Sequence, residues 1–209
     1  MKLIREDIMA GTFEFYFDYI SPFSYVANAA VQQISARTGA DIVIKPMFLG
    51  AVMQATDNRP PGMVPAKGAY MMKDLQRCTS RYGLDFRMNP YFPMVSTRNL
   101  LRATCGLDND TAEQKRFMYA CFHHMWASPT PLKPDDDDSV RAMCEQEGFD
   151  FSQIQELAQA SASKDAMKAN TDSAIARGAF GAPTFFVGDD MFFGHDRLDY
   201  VEEALKAQA

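Results

Sequence analysis

Hydrophobic and polar positions change rhythm twice along this chain. "TFEFYFD" (Thr12 to Asp18) and "DIVIKPMF" (Asp41 to Phe48) alternate and are rich in aromatic and β-branched residues, which predicts two strands. Between them Pro22 suits a first helical turn and Gly39 a helix end, so a helix of about four turns joins the strands. Such a unit predicts a crossover with the strands parallel. From about Pro65 to Gly178 the period becomes helical, in "AKGAYMMKDLQRCTSRYG", "TAEQKRFMYACFHHMWAS", "DDSVRAMCEQEG" and "SKDAMKANTDSAIARG". Phe117, Ala120, Cys121, His124 and Met125 share one helical face, and Met167, Thr171, Ala174, Ile175 and Gly178 another.

The strand rhythm then returns in "GAPTFFVGDDMFFG": Thr184 to Val187, a Gly188-Asp189-Asp190 turn, and Met191 to Phe193. A final helix follows, apolar along Leu198, Val201 and Leu205. The order β-α-β, helices, β-β-α predicts an α/β, thioredoxin-like fold carrying an all-α insertion. Residues 12–50 and 179–209 form its two parts and residues 51–178 the mainly helical insertion. "KPDDDD" (Lys133 to Asp138) reads as a solvated loop whose carboxylates suit the next helix N-terminus.

Composition narrows the classes. The 209 residues are 47% hydrophobic and 23% charged, enough for one well-cored domain with an inserted subdomain. A net charge of −6 offers no basic footprint, so nucleic acid is excluded as a partner. No apolar run is long enough to span a membrane, and "MKLIREDIMAGT" is too charged for a secretory signal, so a cytoplasmic protein is expected. Met9 offers an alternative start, which would make residues 1–11 a dispensable extension. Cys78, Cys105, Cys121 and Cys144 lie far apart and read as small buried apolar residues, not as a C-x-x-C pair. With three histidines, no metal site is expected.

Candidate chemistry lies where strand runs into helix, at Ser21-Pro22-Phe23-Ser24. Ser21 either caps the helix or, with the free amides there, stabilises an external thiolate. It has no nearby histidine and no G-x-S-x-G elbow, which argues against a hydrolase, and Ser21 and Ser24 supply neither the attacking nor the resolving sulfur of dithiol exchange. Asp18 most simply ends the strand. In "GAPT" (Gly181 to Thr184), Pro183 would face the helix beginning at Ser21; a cis bond would leave the Ala182 backbone free to pair with a bound peptide, and the sequence leaves the isomer open. Asp196 is a candidate N-cap of the last helix; alternatively Asp196 and Arg197 together hold an amino-acid zwitterion. Asn58 and Lys67 flank the Pro/Gly-rich loop "DNRPPGMVPAKG", and Lys67, opening a helix, is better placed to meet an anion than to suit the dipole. His124 reads as a core or half-exposed histidine.

Three separated motifs, "FYFDYISPFSY", "NRPPGMVPAKG" and "GAFGAPTFFVGDDMFFGHDRLDYVE", together resemble the 2-hydroxychromene-2-carboxylate isomerase family and the related kappa-class glutathione transferases, over nearly all of Phe13 to Leu205. The resemblance implies a thioredoxin domain interrupted by helices, glutathione as cofactor, a small aromatic or conjugated carboxylate as substrate, and a homodimer. It implies that Ser21 hydrogen-bonds the glutathione thiolate, that Ala182, before a cis Pro183, pairs with the cysteinyl backbone, and that Asp196 and Arg197 hold the γ-glutamyl end. Asn58 and Lys67 fall near the tripeptide or the second substrate, with Lys67 meeting a carboxylate. The chain departs from the pattern at His195, where serine or asparagine is expected, and its Pro/Gly loop is closer to the kappa class. The leading expectation is therefore a glutathione-dependent isomerase of aromatic degradation. Its rivals are a kappa-like transferase or peroxidase, a thiol-disulfide oxidoreductase, and a non-catalytic glutathione- or peptide-binding module.

Overall fold

The computed structural model describes residues 11–208, so the proposed start at Met9 lies outside the described residues. Strands β1 (Thr12–Phe17), β2 (Asp41–Pro46), β3 (Thr184–Val187) and β4 (Asp190–Phe193) form one sheet in the order β2-β1-β3-β4. β1 runs parallel to β2, with Thr12 opposite Asp41, and antiparallel to β3, with Phe15 opposite Phe185. The parallel pair is joined by α1 (Pro22–Thr38), with Pro22 in its first turn and Gly39 closing it at φ 73°. Only a residue tolerant of positive φ closes the helix this way without strain.

Two strand limits differ from the sequence expectation. β2 stops at Pro46, because the Phe48 amide is taken by Thr171 Oγ1 and Leu49 opens the next helix. Asp190 belongs to β4, opposite Val187, and not to the turn. The hairpin turns on Gly188 and Asp189 alone, with Gly188 at φ 59°, since a tight two-residue connection matches the twist of the flanking strands.

Between β2 and β3 come α2 (Leu49–Ala55), α3 (Pro65–Tyr82), α4 (Arg98–Gly106), α5 (Thr111–Trp126), α6 (Asp137–Glu147), α7 (Phe151–Gln159) and α8 (Ser161–Ala176); α9 (Leu198–Gln208) ends the chain. Short 3₁₀ turns cover Pro61–Met63 and His195–Arg197. As the charge pattern of "KPDDDD" suggests, Asp136 caps α6 by accepting from the Ser139 amide, with Asp137 and Asp138 in its first turn.

Alternation along β1 divides the core. Phe13, Phe15 and Phe17 point into a cluster with Val26, Ala27 and Val31 of α1 and with much of α4 to α7, whereas Tyr16 points the other way, among Met47, Val52, Ala174 and Ala179. Phe117, Ala120, Cys121, His124 and Met125 are all buried, and His124 meets Glu147 at 2.8 Å. No helix among the described residues is long and apolar enough to cross a membrane.

Candidate functional site

The chain turns from β1 into α1 over a buried carboxylate. Asp18 is 1% exposed; its Oδ1 accepts from Thr97 Oγ1 (2.5 Å) and the Ile20 amide (3.1 Å), and its Oδ2 from the Leu49 amide (3.0 Å). Burial raises the carboxyl pKa, with these donors opposing the rise. One side chain thus fixes the starts of α2 and α4 against the loop entering α1. The loop is also held from the helical region, where Trp126 Nε1 donates to the Tyr19 carbonyl (2.9 Å) and the Tyr19 hydroxyl meets Thr104 (2.7 Å).

Ser21, 6% exposed, is the N-cap of α1. Its amide donates to the Asp18 carbonyl (3.0 Å) and its Oγ accepts from the Ser24 amide (3.2 Å), so the capping role is real. The same hydroxyl also donates to the Ala182 carbonyl at 3.2 Å, and that bond brings together two of the residues singled out in the sequence. The Ala182–Pro183 peptide is cis.

Every carbonyl of the segment 180–183 is held by a different donor. Phe180 O accepts from Asn58 Nδ2 (2.7 Å), Gly181 O from Thr184 Oγ1 (2.9 Å), Ala182 O from Ser21 Oγ and Pro183 O from the Gly194 amide (3.0 Å). The α2–α3 loop, the start of α1 and the turn after β4 therefore converge on four residues. By contrast, no group among the described residues accepts from the Ala182 amide or from the Phe23 amide in the first turn of α1. The segment presents donors, next to a helix N-terminus that favours negative charge.

Asp196 is not the N-cap of α9. It lies inside the 3₁₀ turn His195–Arg197, because Gly194, at φ 103°, turns the chain before it and α9 starts only at Leu198. Asp196 Oδ2 accepts from Arg197 Nη1 at 2.8 Å, so the two exposed charges already form a pair. Lys67 stands exposed in the first turn of α3, and no hydrogen bond or ion pair joins it to a described residue. Asn58 does reach the site, through Phe180.

Four further residues shape the site without having stood out in the sequence. Asp18 and Thr97 anchor the loop. Phe23 stacks on the His195 ring (centroids 4.9 Å apart, 11° between planes), tying α1 to the turn that carries Asp196. Gly181 is required sterically: a Cβ there would stand 2.7 Å from Phe193 Cε2. A polar residue one position past an aromatic strand is the signal for Asp18; Gly181 shows only as the glycine of "GAPT".

A β-α-β and β-β-α sheet interrupted by helices, with a cis-proline segment facing a helix N-terminus, defines a class. Residues 12–206 match the DSBA-like thioredoxin domain family. Within it, the chain is 32% identical over 200 residues to 2-hydroxychromene-2-carboxylate isomerase of Sphingobium xenophagum, covering 94% of this chain and 99% of that one. It is 29% identical to glutathione S-transferase kappa 1 of Caenorhabditis elegans, over 92% of this chain and 90% of that one. A solved 2-hydroxychromene-2-carboxylate isomerase superposes with a TM-score of 0.81 at 27% identity, over 94% and 95% of the two chains. The chain belongs to the 2-hydroxychromene-2-carboxylate isomerase family, a kappa-class-related branch of the thioredoxin superfamily.

Proposed function

We propose that the protein is a glutathione-dependent isomerase acting on 2-hydroxychromene-2-carboxylate or a close relative, in cytoplasmic degradation of aromatic compounds. The observation that carries the reading is the Ser21 hydroxyl placed between a helix N-terminus and the Ala182 carbonyl. Glutathione, when bound, would supply a nucleophilic thiolate able to add reversibly to a conjugated carbon.

The residues present suit that group. The Ser21 hydroxyl has one proton, now given to Ala182 O. Turning it toward a sulfur anion gives up a neutral hydrogen bond worth about 0.5–1.5 kcal/mol and gains a charge-assisted one worth about 1.5–3 kcal/mol. The exchange is favourable. The Ala182 carbonyl so released and the Ala182 amide would hold the cysteinyl backbone, in the manner of an added strand. The Phe23 amide and the positive end of α1 hold the sulfur's charge. Asp196 and Arg197 receive the ammonium and carboxylate of the γ-glutamyl end, each exchanging half of an exposed ion pair for a partner on the ligand. Asn58 keeps the Phe180 end of the segment in place, and Lys67, unpaired among the described residues, meets a carboxylate. A homodimer belongs to the same proposal, and a monomeric mass in solution would refute that part.

Conversion of 2-hydroxychromene-2-carboxylate, followed spectroscopically with and without glutathione, tests the reading. Turnover that needs glutathione supports it; conversion without the tripeptide, or none at all, rejects it. Kappa-like transfer or peroxidase chemistry is the second reading, supported by the likeness to the kappa transferase. Conjugation of a generic electrophile in the absence of isomerisation would favour it.

A further inference from the structure

His195, in the turn before α9, has a partner. Its Nε2 lies 2.9 Å from Sγ of Cys78 on α3, and its ring is fixed by stacking on Phe23. A nucleophilic atom within hydrogen-bond reach of a base that a third group orients is the arrangement found in activated nucleophiles. Cys105, Cys121 and Cys144 are buried, whereas Cys78 is partly exposed and free. The geometry points to a second, protein-borne thiol site: Cys78, with His195 as its base, exchanges with small disulfides and carries a reversible mixed disulfide at the edge of the Asp196–Arg197 turn.

The step balances without an outside oxidant. As Cys78 Sγ attacks one sulfur of a small disulfide, its proton passes to His195 Nε2; the S–S bond of the reagent breaks as the new one forms. The departing thiolate collects the proton from His195, and one disulfide has replaced another. Burial pushes the Cys78 thiol up and the His195 imidazole down, so the resting pair is a neutral thiol beside a neutral imidazole. Removing the proton at the moment of attack is therefore the useful role for His195. The charges around the pair are mixed: Asp74, Arg77 and Arg81 on α3, and Asp196 and Arg197 on the turn. None of these is a dedicated cation able to hold a standing thiolate. A mixed disulfide also breaks the Cys78–His195 contact and adds bulk beside Asp196. The proposal is independent of the isomerase reading, because it concerns a sulfur on the protein and a reagent in solution.

The test incubates the full chain with oxidised glutathione and maps the modified residue by mass spectrometry. Cys78 is expected to gain the glutathionyl group, dithiothreitol to remove it, and Cys78→Ser to abolish it. His195→Asn, which removes the base while keeping a polar side chain, is expected to slow the reaction at neutral pH by about a hundredfold or more, the low end of what base catalysis provides. With iodoacetamide, the native chain and His195→Asn should differ at neutral pH and converge at high pH, where the thiol ionises unaided. Modification of a buried cysteine instead, equal rates in both chains at neutral pH, or a difference that persists at high pH would each overturn the proposal; the last would make His195 a matter of access alone.

Discussion

Ser21 and Ala182, 161 residues apart, are joined by one hydrogen bond of 3.2 Å from hydroxyl to carbonyl. The bond couples two jobs of Ser21: the oxygen caps α1 while the proton secures the segment 180–183. Ser21→Ala removes both. Loss of the cap is expected to cost about 0.5–2 kcal/mol in denaturant unfolding. Under the proposed function, the thiol of bound glutathione should also titrate roughly 1–2 pH units higher, the equivalent of one charge-assisted hydrogen bond. Ultraviolet absorbance of the thiolate reads this directly, and an unchanged titration would remove Ser21 from the proposed role.

Gly181 sits under the Phe193 ring with no room for a Cβ, at 2.7 Å from Cε2 and 3.2 Å from Cζ. Gly181→Ala should destabilise the chain by about 1–3 kcal/mol, as overpacking does. Because Phe193 is itself 40% exposed, the clash sits on a ring that can be removed at modest cost. In a double-mutant cycle, Phe193→Ala should relieve most of the penalty; an undiminished cost would place the strain in the backbone instead.

Asp18 accepts three hydrogen bonds on two oxygens in a buried setting. Asp18→Asn keeps the shape but leaves one acceptor oxygen, so the Leu49 amide or the Thr97 hydroxyl must face an NH₂ group. A loss of about 1–3 kcal/mol is expected, measured by urea unfolding, because a buried donor is left unpaired. If Thr97→Val in the Asp18→Asn background adds its full single-mutant cost, the two residues are not a coupled pair.

Glu202 on α9 is clamped by Arg37 of α1 at 2.6 Å and by Lys206 at 2.8 Å. The Arg37 and Lys206 hydrogen bonds lower its pKa from 4.5 to about 2. A depressed carboxylate stabilises the fold above its unfolded pKa and loses that contribution as pH falls through the folded value. Thermal melts of the native chain and of Glu202→Gln should therefore differ most above pH 4.5 and converge toward pH 2. A gap that stays constant over this range would show that the clamp does not act through charge.

The element order and much of the site were legible because their signals are local. Alternating aromatics fix β1, Pro22 and Gly39 bracket α1, and Ser21 announces a helix start by type and position. Helices α4 and α7, nine residues each, escape a periodicity reading because two and a half turns barely establish a period. Asp196 was expected at an N-cap because an acid before an apolar helix normally stands there; the 3₁₀ turn after Gly194 displaces it. The Asp18–Thr97 and Cys78–His195 contacts were illegible for another reason. Their partners are distant in sequence, 79 residues for Asp18 with Thr97 and 117 for Cys78 with His195, and no residue type or spacing encodes such a meeting.

The four carbonyls of residues 180–183 take their donors from positions 58, 184, 21 and 194. Only Thr184 is a near neighbour; Asn58 and Ser21 arrive across 122 and 161 residues. Contacts of such long range require the chain to close large loops, which slows their formation. A chain ending before residue 180 has Ser21 and Asn58 but lacks the carbonyls they hold. Under the proposed function, glutathione capture at this segment would therefore require residues 180–194 to be in place.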